Sequence, residues 1–301
     1  MPIQEIKFEK FTWYNISSPK EPELELLSNK FKFHHLALDD CRSNIQQPKI
    51  DDYDDYLFMV FHLPRYIKKI KRTIALELDV FLSKKFLITI HNGDLKPLNS
   101  LFDRNKKEAE NIIANPSFLL YEILKESFNY CFPMLEKIGE KLDRIEDELY
   151  VDQSQKTLEE ISIIAQDIIN FRRIIRPQRY FIEDLEQLKT KFIKENLEIY
   201  FNDISDKIDR IWDNLNSFKD VCDVLQRTNE SILTQRLNSI MKILTVISVI
   251  MLPLTVLTGF YGMNVVGLPL ASHRYAAEIV IILLVIISGG MLAYFRKNHW
   301  L

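Results

Sequence analysis

Glycine is scarce, with seven in 301 residues. No glycine-rich phosphate loop, GxSxG elbow or HExxH motif occurs, so nothing argues for an enzyme. The three cysteines, Cys41, Cys131 and Cys222, are far apart and share no CxxC spacing, which excludes a zinc knuckle or a disulfide framework and predicts buried thiols in a reducing compartment. Charge is balanced, with 39 Lys+Arg against 42 Asp+Glu and a net charge of -3, and without a long basic run nucleic acid is not expected as a partner. The N-terminal MPIQEIKFEKFTWY lacks an apolar core like that of a secretory signal, so the residues before the membrane segments are expected in the cytosol. His34 and His35 are adjacent and cannot both face one ligand in a helix or strand, which points to core or surface roles.

What the N-terminal half lacks in apolar runs, the C-terminal sixty residues supply. Residues 243–261, ILTVISVIMLPLTVLTGFY, carry no charge and as a helix span about 28 Å, close to the ~30 Å of a hydrocarbon core. Residues 276–295, AAEIVIILLVIISGGMLAYF, form a second span with one acid, Glu278. The short connection makes a hairpin. Arg236 and Lys242 flank the first span, Arg296 and Lys297 follow the second, and only Arg274 lies between, so both termini are predicted in the cytosol. Pro253 should bend or loosen the first span. Asn238, Met241, Thr245, Ser248, Leu252 and Thr255 recur at steps of three or four and give one mildly polar helix face. Such a face suits a helix lining water in an oligomer; hydroxyls bonding to their own helix would be the purely structural alternative. The second span reads as the lipid-facing wall.

Upstream, Ile204, Ile208, Ile211, Leu215, Phe218, Cys222 and Leu225 form a heptad seam, and no proline or glycine occurs from Asn196 to Leu252, so one long stalk helix can run into the membrane. Leu135, Ile138, Leu142, Ile145 and Leu149, then Leu158, Ile161, Ala165 and Ile168, predict an antiparallel helical hairpin turning at VDQSQ. In the first hundred residues, TIALELDVFLSKKFLITIH reads as a β-hairpin, with YLFMVFH and FTWYNI as further strands. The expected organisation is an α/β domain over 1–110, a helical hairpin over 111–195, a stalk over 196–240, a first span over 241–262, an external loop over 263–275, and a second span with a basic tail over 276–301.

The residues YGMN at Tyr261 to Asn264, preceded by MKILTVISVIMLPLTVLTGF, resemble the signature of the CorA family of divalent-cation transporters. The likeness extends to TNE at Thr228 to Glu230 and to the C-terminal KNHWL. It implies a homopentamer in the cell membrane, with a cytosolic funnel of α/β domains and willow-like hairpins, and a pore lined by Asn238, Met241, Leu244, Thr245, Leu252 and Thr255. Mg²⁺ holds its waters tightly, so a selective mouth should contact the hydrated ion, and carboxamide oxygens of Asn264, set by Gly262 and Met263, suit that task without trapping a divalent cation. Met241 and Leu244 would form a constriction that dewets when narrow. Two charges moving down an inside-negative 100 mV gain about 4.6 kcal/mol, so no ATP is needed.

The resemblance also implies a regulatory Mg²⁺ site. LALDDCRSNIQQPKIDDYDDYLF places Asp40 on the metal-contacting acid, and YFND places Asp203, from a neighbouring subunit, as its partner. Cytosolic Mg²⁺ bridging two carboxylates would hold the funnel closed. A weaker second site would use Asp39, but Lys125 stands where its other acid belongs. The external VVGLPLASHRYAAE is poor in acids, which weakens attraction of cations to the mouth. Mg²⁺ is the expected cargo and regulator, with Co²⁺ and Ni²⁺ as further substrates and no organic cofactor. The alternatives are a zinc transporter of the same superfamily, where Met263 is usually replaced, and a membrane-anchored oligomeric scaffold or sensor.

Overall fold

A computed structural model describes residues 3–43, 47–93, 95–107, 113, 115–151, 155–187, 192–193, 197–265, 268–269, 273–298 and 300. The VDQSQ turn lies largely outside these residues, as does part of the expected external loop. The chain divides into two compact units, residues 1–226 and 227–301.

The first unit opens with β1 (Ile3–Lys7) and β2 (Thr12–Ser17), followed by α1 (Glu21–Phe31) and α2 (His35–Arg42). Strands β3 (Lys49–Tyr53), β4 (Tyr56–Ile67), β5 (Arg72–Leu82) and β6 (Phe86–His91) come next. They form one six-stranded sheet in the order β1-β2-β6-β5-β4-β3, antiparallel except for the β2–β6 pair. The expected β5–β6 hairpin and the strands at FTWYNI and YLFMVFH are present, and the sheet gains two edge strands. The edge strands are short and mostly half-exposed, so they lack the dense apolar pattern that marks the central ones.

Alternating side chains send the sheet's residues to two faces. On one, Ile16, Phe58, Phe81 and Ile88 pack with Leu24, Leu27, Leu38 and Cys41 of α1 and α2. On the other, Trp13 packs edge-on against Phe102 at 4.8 Å, and Phe61 lies 4.5 Å from Phe181; these two rings come from α3 (Lys96–Lys107) and α6 (Gln155–Gln187). Helices on both faces therefore enclose the sheet. His34 has a structural role. Its Nδ1 accepts from the backbone N–H of Leu36 and its own N–H donates to the Tyr56 hydroxyl at 2.8 Å, which caps α2 and ties it to β4; such a cap contributes about 1 kcal/mol.

Asp79 is buried in β5 beside Cys41, and among the described residues its Oδ1 has no hydrogen-bond partner. Burial, and then the nearby Glu77 carboxylate, push its pKa up to about 8. The folded state thus keeps a proton that the unfolded chain releases in the ordinary carboxylate range, and stability falls as pH rises through that window. Asp79→Asn removes this dependence. In thermal unfolding, the variant's melting temperature relative to the parent should climb from about pH 5 to about pH 8 and level off above; an offset constant across this range would contradict the assignment.

Helices α4 (Pro116–Asn129), α5 (Cys131–Val151) and α6 follow, and α7 (Glu198–Tyr261) begins in this unit. Asn115 caps α4 by accepting from the Phe118 N–H at 2.9 Å, with Pro116 at the first position, the start favoured by a proline that has no N–H to satisfy. The heptad positions Ile204, Ile208, Ile211, Leu215, Cys222 and Leu225 are buried and Phe218 is half-buried. Leu135, Ile138, Leu142, Ile145 and Leu149 are buried as well. Leu158 departs from the expected seam: it is 40% exposed, whereas Ile161 and Ile168 are buried. The α6 seam thus starts one turn later than the sequence suggested. All three cysteines are free and buried.

The second unit contains the remainder of α7, which stays helical through Pro253, and α8 (Ala276–Lys297). Helices α7 and α8 are long and apolar enough to cross a membrane, and almost none of their apolar stretch is buried within the chain. A soluble core helix of that composition would be covered, so this exposure accords with a lipid or oligomer environment.

Candidate functional site

Helix α7 ends where its backbone meets the YGMN segment. The Gly262 N–H still donates to the Thr258 carbonyl at 2.9 Å, a helical bond, and the Met263 N–H donates to the Phe260 carbonyl at 3.4 Å, so the helix tightens and ends here. A β-carbon on Gly262 would lie 3.0 Å from the Thr258 carbonyl oxygen, a closer approach than most β-carbons make, so glycine eases the packing of this helix end. Gly262, Met263 and Asn264 are all exposed. The Asn264 carboxamide is therefore presented just past the end of the apolar helix.

Below it, Asn238, Met241, Leu244, Thr245, Leu252 and Thr255 are exposed along α7. The Thr245 hydroxyl donates to the Met241 carbonyl at 2.7 Å and the Thr255 hydroxyl to Met251 at 2.8 Å. In one chain, then, the helix satisfies its own hydroxyl protons, as the structural alternative foresaw. That bond consumes the donor and leaves oxygen lone pairs on the outer side. A back-bonded threonine is consequently an acceptor, the polarity that a hydrated cation requires. Asn238, Met241 and Thr245 also border an open cleft of about 600 Å³ that Trp300 lines with them. Nothing in KNHWL placed this tryptophan there, because the segment has no periodicity to orient it.

The proposed regulatory acids belong to the first unit. Asp40, near the end of α2, is held by the Lys49 ammonium at 2.5 Å, and Lys49 also reaches Asp51 at 2.9 Å. Asp39 pairs with Arg42 at 2.6 Å, and that guanidinium also binds Glu21. Asp203, in the first turns of α7, is 2.5 Å from the Lys207 ammonium and accepts from the Tyr121 hydroxyl at 3.2 Å. The Lys207 bond holds the Asp203 carboxyl below the usual carboxylate range despite partial burial, so it is an anion at any cytosolic pH. Tyr200 of the YFND segment docks edge-on against Tyr121 and Phe118 of α4, at 5.0 and 5.5 Å, which positions Asp203 over that helix.

Lys125 pairs with Glu122 at 3.3 Å and its positive charge reaches Asp203, a neighbourhood that sequence order concealed. Among the described residues no group of three or more acidic, histidine or cysteine side chains converges to hold a metal, and Asp40 and Asp203 each have a lysine of their own.

An α/β unit, a helix continuing from it into a membrane-length apolar run and an exposed carboxamide just past its end form the architecture of a membrane-spanning protein, and the comparisons give its class as a divalent cation transporter. The chain belongs to the CorA-like Mg2+ transporter protein family, whose sequence model matches residues 8–297. Among its relatives, the cobalt/magnesium transport protein CorA of Thermotoga maritima is 26% identical over 96% of this chain and 83% of its own length. The zinc transport protein ZntB of Pectobacterium carotovorum is 22% identical over 74% of this chain and 67% of its own length. In fold, the complete structure of the CorA magnesium transporter from Methanocaldococcus jannaschii matches with a TM-score of 0.88 at 24% identity, over 99% of this chain and 94% of that one.

Proposed function

We propose that this chain assembles as a homopentamer in the cell membrane, with both termini in the cytosol, and admits Mg²⁺, and secondarily Co²⁺ and Ni²⁺, down the membrane potential. The observation that carries this reading is the exposed Asn264 carboxamide, set by the Gly262 turn directly beyond the acceptor-bearing stripe of α7. Five such oxygens would grip the waters of a hydrated ion; the stripe would replace bulk water beneath them, and Met241 with Leu244 would form the gate. Family membership and Met263 in the signature support Mg²⁺; the similarity to ZntB keeps Zn²⁺ as a second reading. A membrane-anchored scaffold or sensor would have no use for the exposed carboxamide or the acceptor stripe. Uptake into liposomes carrying an internal Mg²⁺ dye, repeated with Zn²⁺ and a pH dye, separates the readings. Mg²⁺ accumulation under an inside-negative potential is expected; Zn²⁺ uptake with accompanying acidification and no Mg²⁺ flux would replace Mg²⁺ with the zinc reading.

Regulation follows from Asp40 and Asp203 acting across a subunit interface, with Asp39 as a weaker contributor. Because Lys49 and Lys207 hold these carboxylates, internal Mg²⁺ must displace an ammonium before it can bridge them, and the inhibitory concentration should be set partly by those lysines. Lys207→Gln is expected to lower the internal Mg²⁺ needed for half-inhibition several-fold, and to lower equally the Mg²⁺ that protects the chain from limited proteolysis. An unchanged or raised requirement in both measurements would remove Lys207 from the account.

A further inference from the structure

Outside the ion pathway, the turn joining β4 to β5 concentrates cations: RYIKKIKR, residues 65–72, carries five. This turn borders a cleft of about 320 Å³ formed with α5 and α6, and Lys68, Lys71, Lys141 and Arg144 all line it. The acid in the lining is Glu160, already bound to Arg144 at 3.1 Å. Among the described residues neither Lys68 nor Lys71 has a carboxylate partner. Arg144 is neutralised by Glu160 and, at 3.5 Å, by Glu148, but Lys68 and Lys71 stand beside the Lys141 ammonium without carboxylates of their own among the described residues, and a multivalent anion in the cleft would relieve their mutual repulsion.

The backbone gives a second indication. Lys71 has φ of 52°, in the left-handed region that glycine or asparagine occupies at lower energy. A lysine at this point of the turn is conformationally unfavourable, yet its side chain lines the cleft. The hairpin is also fixed to its opposite wall, because the buried Thr73 N–H donates to the Asp167 carboxylate of α6. The wall is not wholly charged. Tyr66 lines it, with the Lys141 ammonium 5.0 Å from its ring centroid, and Ile163 and Ile164 supply apolar surface. Volume, charge and lining match an anion with both a phosphate chain and an organic moiety, within the range of small-molecule sites.

We infer that this cleft between the β4–β5 turn and the α5–α6 pair binds a nucleoside polyphosphate, with Lys68, Lys71, Lys141 and Arg144 taking the phosphates and Tyr66 with the isoleucines taking the nucleoside. It is a binding site formed by side chains; the sequence has no glycine-rich loop that would position the phosphate for cleavage. Calorimetric titration of the full-length protein in detergent with ATP in excess EDTA tests it, since chelation removes Mg²⁺ effects from the readout. Saturable binding of one ATP per chain, weakened by salt, is expected. Lys71→Gly should weaken binding by about tenfold without lowering the melting temperature, because glycine suits the turn; Lys68→Gln should weaken binding similarly. Sodium triphosphate should bind more weakly than ATP. The inference is overturned if ATP does not saturate, if both variants bind it as the parent does, if triphosphate binds as tightly as ATP, or if phosphatidylglycerol vesicles alone are captured through these lysines.

Discussion

Replacing Asn264 with alanine is expected to reduce Mg²⁺ uptake into proteoliposomes by about a hundredfold or more while leaving assembly and melting temperature unchanged. The carboxamide is exposed just past the end of α7, so alanine removes no packing. What it removes is the acceptor ring at the mouth. Each hydrogen bond to a polarised metal-bound water contributes on the order of 0.5–1.5 kcal/mol, and five lost together amount to about two powers of ten or more in the residence of the hydrated ion. Asn264→Asp is the informative contrast: it restores the oxygens and adds charge, so binding should return while the ion leaves slowly. Initial rates of dye-reported uptake at several external Mg²⁺ concentrations distinguish the two effects. Parent-like uptake by the alanine variant would take selectivity away from this turn.

The second large effect is expected at Asp203. Its carboxylate is ionised, anchored by Lys207 and Tyr121, and presented from a helix held against α4 by Tyr200. Asp203→Ala should raise the internal Mg²⁺ needed for half-inhibition by about tenfold, so that current persists at millimolar-scale internal Mg²⁺. Lys207→Gln acts in the opposite direction, and this opposition separates a metal-binding role from a structural one. A destabilised stalk would make both variants leak; a bridging carboxylate competing with an ammonium moves them apart. Inside-out patch recordings against internal Mg²⁺ measure both shifts, and inhibition of Asp203→Ala equal to the parent's would reject the sensor assignment.

Much of this architecture was legible because it depends on periodicity. The heptad seam of α7 expresses a geometric period and burial follows it; in β5 it does not, since Ile74 is exposed, Thr73 is buried, and Leu78 to Leu82 are buried on both faces because helices cover the sheet on either side. Leu158 shows the limit: the apolar pattern extends to it, yet it is 40% exposed. Edge strands β1 and β3 were less visible, since one-sided pairing leaves their side chains half-exposed. At the candidate site, Asn264 and Gly262 could be read because a rare glycine precedes a carboxamide at the end of an apolar run. The partners of the acids could not. Lys49 and Lys207 were two among 39 cations, and Tyr121 reaches Asp203 across 82 positions of chain. The left-handed Lys71 and the cleft it lines depend on a backbone dihedral and on two helices distant in sequence, and no local pattern encodes either.

The central physical claim is that the oxygen-bearing side of α7 faces water shared between subunits. Cysteine placed at Thr255, in a background lacking Cys41, Cys131 and Cys222, and treated with a membrane-impermeant charged thiol reagent during Mg²⁺ uptake measures this directly. Rapid modification that blocks flux is predicted at position 255, with no modification of a cysteine at Leu257, on the opposite side of the helix. An inert cysteine at 255 beside a reactive one at 257 would contradict the account.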